Sequence, residues 1–183
     1  GAAAFVFCNH VPGCLAPTGS VGTDADPVGP IPAVGVSKEV GARLKRYARK
    51  GDVTGHLEID VTVDKEGRSQ NVTGLLGPET DKEIIVGAHV DGHDISDAAM
   101  DNGAGVAILC EVARALGRRE ADLDTRVRFI GFGCEEFGLV GSQFWADDHE
   151  TDKVRAVVNL DGIGSGRNQK IYTHGFDDFE PVI

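Results

Sequence analysis

In the second part of the chain, short apolar segments alternate with segments of helical periodicity. The pattern predicts strands at 83–88, 126–132 and 154–160, and helices near 103–116 and 139–146. Such alternation predicts an α/β domain with a mixed, largely parallel sheet flanked by helices. In an open α/β sheet, ligands bind in the crevice at the carboxyl ends of the strands. Residues that directly follow each predicted strand are therefore the first candidates for a functional site.

The first third of the chain has a different texture. Residues 11–37 hold all but two of the seven prolines, together with many glycines, which indicates strands joined by loops. Ser37 suits a helix N-cap, and apolar residues at helical spacing continue towards Gly51, so a short amphipathic helix is predicted. Apolar and polar residues then alternate over 57–63, which predicts a half-exposed strand with residues 71–76 as its hairpin partner.

Charge and cysteine content limit the partners and the compartment. The formal net charge of −11 makes nucleic acid and anionic membranes poor partners, since both attract basic surfaces. No apolar run approaches the length of a membrane span. The four cysteines lack Cys-x-x-Cys spacing, so we expect mostly buried thiols. A pairing of Cys8 with Cys14 in an oxidising compartment stays open, as do cellular location and oligomeric state.

Two motifs link a predicted strand to the following helix. His89 ends its strand, and Asp91 is placed to accept the hydrogen of the second ring nitrogen, as carboxylates beside metal-binding histidines do. The alternative is a loop histidine with an ordinary hydrogen bond. Asp101 precedes the glycine-rich start of the helix, where it either forms a capped turn or bridges two cations.

Two further carboxylate motifs follow the next strands. Glu135 and Glu136 are adjacent at the end of a buried strand, where their charges repel unless a cation is present. One glutamate then serves as a metal ligand and the other as a general base, whereas the alternative is an exposed loop pair. Asp161 follows the last strand, either as a ligand or as the start of a turn with Gly162. If all these segments meet at one sheet edge, they form a metal site.

The order and spacing of these motifs resemble those of the co-catalytic dizinc exopeptidases of the leucyl-aminopeptidase and glutamate-carboxypeptidase type. The resemblance covers roughly residues 67–166 and implies a zinc-exopeptidase-like α/β fold. The matching motifs are His89-x-Asp91, Asp101-Asn102-Gly103-Ala104-Gly105, Glu135-Glu136-Phe137-Gly138-x-x-Gly141-Ser142 and Asn159-x-Asp161-x-Ile163-Gly164.

The resemblance also implies a role for each site residue and a requirement for two zinc ions. His89 and Asp161 would bind the first zinc, Glu136 the second, and Asp101 both. Asp91 would orient His89, and Glu135 would be the general base. The peptide bond from Asp101 to Asn102 is expected to be cis.

The same family commonly carries a protease-associated domain. Residues 1–51 resemble the latter part of such a domain, and residues 52–183 the N-terminal part of the catalytic domain, so we expect a chain truncated at both ends. The second zinc of the family takes a further histidine from well downstream. His174 follows Asp161 too closely to match it, and the missing ligand is expected beyond residue 183.

The function implied is that of a metal-dependent aminopeptidase that hydrolyses terminal bonds of a peptide substrate. A carboxypeptidase of the same family, or an inactive or peptide-binding fragment of such an enzyme, stays open as an alternative. A dinuclear phosphoesterase is disfavoured, because no Lys or Arg accompanies the carboxylates within the quoted motifs to hold a phosphate.

Overall fold

A computed structural model describes residues 1–19, 28–64, 66–93 and 95–164. The chain divides into two compact units, Gly1–Arg68 and a second unit that begins at Ser69. This division falls after the boundary at residues 51 and 52 that the sequence predicts. The assignment of the first unit to a protease-associated domain stays a prediction.

The first unit pairs two short strands with one helix. Strand β1 (Phe5–Cys8) lies parallel to β2 (Ala33–Val36). Helix α1 (Lys38–Ala48) follows, and the Ser37 hydroxyl accepts the Val40 amide hydrogen at 3.2 Å. The predicted helix and its N-cap are therefore confirmed.

The strand predicted at 57–63 is wrong. Residues 52–64 contain neither strand nor helix, and the Val61 side chain is 73% exposed. Its predicted hairpin partner does form strand β3 (Val72–Leu76), but β3 pairs antiparallel with β5 (Arg126–Phe132). Alternation predicts which face a strand buries, yet a strand forms only where a neighbour satisfies its backbone groups.

The second unit is built on a four-stranded sheet in the order β3-β5-β4-β6. The central strand β4 (Glu83–His89) is parallel to β5 on one side and to β6 (Val154–Asn159) on the other. The antiparallel β3 makes the sheet mixed and largely parallel, which confirms the predicted fold class. Since the chain passes from β4 to β5 and then back across to β6, the carboxyl end of β4 lies at a topological switch point.

Helices cover the two faces of this sheet. Successive side chains of a strand point to opposite faces, so adjacent residues of β4 pack against different helices. Helix α2 (Ala104–Gly117) packs through Leu109 against Val86 and Phe129. Helix α3 (Val140–Asp148) packs through Trp145 against Ile85 and Ile130. No helix within the described ranges is long and apolar enough to cross a membrane.

The expectation of mostly buried thiols is wrong. Cys14 and Cys110 are exposed, Cys8 and Cys134 are half-buried, and all four are free thiols. The helical spacing of Cys110 with Val106 and Leu109 predicts that Cys110 lies on the apolar face of α2. The apolar face of α2 is instead formed by five other residues at helical spacing, and Cys110 points towards solvent. These five residues are Val106, Leu109, Val112, Ala113 and Leu116.

An ion pair between β4 and β5 provides a stability test away from the strand ends that carry the candidate site. Arg128 Nε lies 2.9 Å from Glu83 Oε1, and the two side chains are only 17% and 12% exposed. Replacing Glu83 by Ala leaves the Arg128 charge unpaired in this half-buried setting. We expect the free energy of unfolding to fall by about 3 kcal/mol in urea titrations. A fall in the free energy of unfolding no larger than that expected for an exposed ion pair would contradict this prediction.

Candidate metal centre

The carboxyl ends of the parallel strands bring the predicted site residues together. His89, the last residue of β4, is 3% exposed. Its Nε2 lies 2.9 Å from Asp101 Oδ1 and 3.2 Å from Asp161 Oδ1. Asp161 follows β6, so carboxylates from two separate loops meet at one imidazole nitrogen.

The other ring nitrogen of His89 faces a backbone acceptor. His89 Nδ1 is 3.1 Å from the backbone oxygen of Asp91, which can only accept a hydrogen bond, so Nδ1 is the donor of this pair. The Nε2 atom is thereby directed at two carboxylate oxygens. Either a proton on Nε2 or a metal cation in its place balances these carboxylates, so this donor set fits a metal.

Asn102 holds the Asp101 loop in place. Asp101 lies at a kink within the segment Ala99–Gly103, where the backbone angles of Asp101 and Asn102 are not helical, and the peptide bond between these two residues is cis, as the resemblance implied. Asn102 is 1% exposed; its amide donates to the Leu160 carbonyl at 2.8 Å, and its Oδ1 accepts from the Gly105 amide at 3.1 Å. This side chain therefore links the Asp101 loop to the backbone that leads into Asp161.

The Glu135–Glu136 loop is held by Asp91. Asp91 Oδ1 accepts the Glu135 amide hydrogen at 3.0 Å, and Oδ2 accepts that of Glu136 at 3.1 Å. The same carboxylate is 3.6 Å from His89 Nδ1. The side chain of Asp91 thus chiefly holds the glutamate loop, while its backbone oxygen makes the hydrogen bond that orients His89.

Glu136 points into the site beside His89 and Asp101. One ligand atom from each of these three side chains lies within 4.8 Å of the others, close enough to share a cation. Glu136 Oε2 is also 2.9 Å from His93 Nε2. Nothing in the sequence marks His93 as a site residue, because only the folded loop brings it to Glu136.

Burial, neighbouring charges and hydrogen bonds shift the pKa values of three site residues. Burial alone would lower the pKa of His89, but the Asp161 carboxylate, with help from Glu135 and Asp101, outweighs burial and raises it. Burial raises the pKa of Glu135, and the neighbouring carboxylates add to this rise. Burial opposes ionisation of Asp91, yet the amides of Glu135 and Glu136 prevail and lower its pKa.

A cleft of about 480 Å³ opens beside these carboxylates. Glu135, His89 and Asp161 lie along it, and its remaining lining is mostly apolar. That lining includes Ile85, Phe132, Leu139, Trp145, Val154 and Val157. His174 lies outside the described residues. So do residues 170–173, where the sequence predicts a further strand, and Asp94, to which the sequence assigns no role.

The structure is that of an α/β protein with a candidate metal site of histidine and carboxylates at the switch point of its sheet. Residues 71–181 match the sequence profile of peptidase family M28. The match spans more than half of the chain, and the chain belongs to this family.

Several relatives share most of this chain. Leucine aminopeptidase 2 of Trichophyton rubrum is 35% identical over 167 residues, which cover 90% of this chain and 32% of the relative. Aminopeptidase YwaD of Bacillus subtilis is 32% identical over 155 residues, 80% of this chain and 32% of the relative. The chain therefore spans about a third of the length of these curated relatives.

The fold is also shared with solved structures. BSAP, a zinc aminopeptidase from Bacillus subtilis, superposes with a TM-score of 0.65 at 29% identity, covering 90% of this chain and 39% of its own. A peptidase M28 precursor from Shewanella amazonensis has the same fold, with a TM-score of 0.57 at 23% identity, covering 88% of this chain and 38% of its own.

Proposed function

We propose that this protein is a zinc-dependent aminopeptidase that removes N-terminal residues from peptides. The observation that carries the proposal is the convergence of His89, Asp101 and Glu136, whose ligand atoms lie within 4.8 Å of one another. The aminopeptidase names of several M28 relatives support the reaction, and the zinc aminopeptidase structure supports the metal.

The proposed ligands are His89 through Nε2 and the carboxylates of Asp101, Glu136 and Asp161. Imidazole and carboxylate are common zinc ligands. In the described ion pairs, these three carboxylates meet only the side chains of His89 and His93, which leaves most of their negative charge for a cation to balance. Two zinc ions sharing Asp101 are the arrangement we propose for the full site.

Glu135 is the proposed general base. Bound zinc supplies Lewis acidity, which lowers the pKa of a water and polarises a carbonyl oxygen. Glu135 faces the cleft and is held at its backbone amide by Asp91. Its raised pKa makes its carboxylate a stronger base, suited to take a proton from the attacking water and deliver it to the leaving amine.

The experiment compares leucine p-nitroanilide with its N-acetylated form. An aminopeptidase requires a free terminal amine, so we expect the zinc-loaded protein to release nitroaniline from the first substrate alone. Activity should disappear with a chelator and return with added zinc. Release of residues from the carboxyl terminus of a peptide, or zinc binding without any turnover, would contradict the proposal and favour a carboxypeptidase or a peptide-binding protein.

A further inference from the structure

A side chain far from the metal-site motifs closes the loop that carries the two glutamates. The loop runs from Gly133, after β5, to Gly141, in the first turn of α3. Asn71 lies just before β3 and reaches both of these residues. Its Oδ1 accepts the Gly133 amide hydrogen at 3.1 Å, and its Nδ2 donates to the Gly141 carbonyl at 2.8 Å.

The base of this loop has no spare volume. A Cβ atom on Gly141 would lie 2.1 Å from the Gly133 carbonyl oxygen and 2.6 Å from Asn71 Oδ1. A Cβ atom on Gly133 would lie 2.4 Å from Ser69 Oγ. The two glycines therefore permit the close approach that Asn71 bridges with its amide, and the two loop ends are held against each other.

The loop is thus fixed at two places. Asn71 holds its base, and the Asp91 carboxylate holds the amides of Glu135 and Glu136. Between these two fixed places, Glu136 is only 12% exposed and lies in the cluster with His89 and Asp101. Opening the base would allow the backbone of Glu136 to move away from that cluster.

We infer that Asn71 is a positioning residue of the metal centre, one that sets Glu136 as a ligand and Glu135 as a base by closing their loop. This inference rests on the proposed function. Side chains that orient metal ligands typically affect metal affinity by roughly 10–100-fold when they are replaced. Asn71 acts indirectly, because its side chain bonds to the backbone of Gly133 and Gly141 and not to a proposed metal ligand.

The first test is a calorimetric zinc titration of the wild-type protein, Asn71→Ala and Glu83→Ala. Asn71→Ala is expected to bind zinc about 10–100-fold more weakly. Glu83→Ala is the matched control, since it loses a half-buried polar interaction in the same sheet without touching the loop. It should unfold more easily and bind zinc as the wild type does. Asn71→Ser, which keeps a shorter polar side chain, replaces Asn71→Ala if that variant does not fold.

The second test uses the metal-free protein. Amide hydrogen exchange should accelerate at Gly133 and through the loop to Gly141 in Asn71→Ala, while the amides of β4 keep their wild-type rates. Equal zinc affinity in Asn71→Ala and wild type, or faster exchange spread evenly over the sheet, would overturn the inference alone. A wild-type protein that binds no zinc would overturn the proposed function and the inference built on it.

Discussion

Replacing Glu135 by Gln is expected to lower kcat by roughly 10²–10⁴-fold while zinc remains bound. Gln keeps the shape of the side chain but has no carboxylate to accept a proton from water. The backbone amide of residue 135 still donates to Asp91, so the loop should keep its conformation. Steady-state kinetics on leucine p-nitroanilide, together with zinc content after dialysis, measure both parts of this expectation.

Glu136→Gln is the matched control for Glu135→Gln. The two residues are adjacent and both donate their backbone amide hydrogens to Asp91, but Glu136 is a proposed metal ligand. Its replacement should therefore reduce zinc content as well as activity. Equal loss of zinc in the two variants, or wild-type kcat in Glu135→Gln, would contradict the roles assigned to the pair.

Replacing Asp101 by Ala is expected to weaken zinc binding by at least about 100-fold, more than the usual effect of residues that only orient a ligand. Asp101 Oδ1 is 2.9 Å from His89 Nε2, and Asp101 is the ligand proposed to be shared between two ions. Calorimetric titration with zinc measures the loss directly.

Asp97→Ala provides a control in the same segment of chain. Asp97 is an exposed carboxylate a few residues before Asp101 and lies outside the metal cluster. Its replacement removes the same charge from the protein and should leave zinc affinity unchanged. A similar loss of affinity in both variants would show that overall negative charge, rather than ligation by Asp101, attracts the ion.

The two central strands of the second unit were predictable because buried strands are rich in apolar residues. Strand β4 is almost wholly buried and is apolar at every position between Glu83 and His89, and β5 is apolar from Phe129 to its end. The convergence of His89, Asp101, Glu136 and Asp161 followed from one physical rule, that parallel strands end at the same sheet edge.

Features that depend on a distant partner were not predictable. The alternation over 57–63 is typical of a strand, but these residues form none, because β3, their predicted partner, pairs with β5 instead. The helical spacing of α2 predicted Cys110 on the apolar face, but a residue at the border of such a face turns inward or outward according to its neighbours, and Cys110 is exposed.

The contacts that support the site were also not predictable from the sequence. Asn71 meets its partners 62 and 70 residues away, and His93 reaches Glu136 only through the shape of its loop. Neither contact has a spacing signature. Asn71 bonds to backbone groups, which leave the partner residue free to vary, and His93 meets a carboxylate that only folding brings to it. The hydrogen-bonding geometry of Asp91 is likewise a property of the folded loops.

The most direct test of the metal centre is a crystal structure of the zinc-loaded protein with anomalous data collected at the zinc absorption edge. We expect a zinc peak within coordination distance of His89 Nε2, between the carboxylates of Asp101 and Asp161, with Glu136 reaching the same centre. A zinc peak at another place on the surface, or none at these side chains, would contradict it.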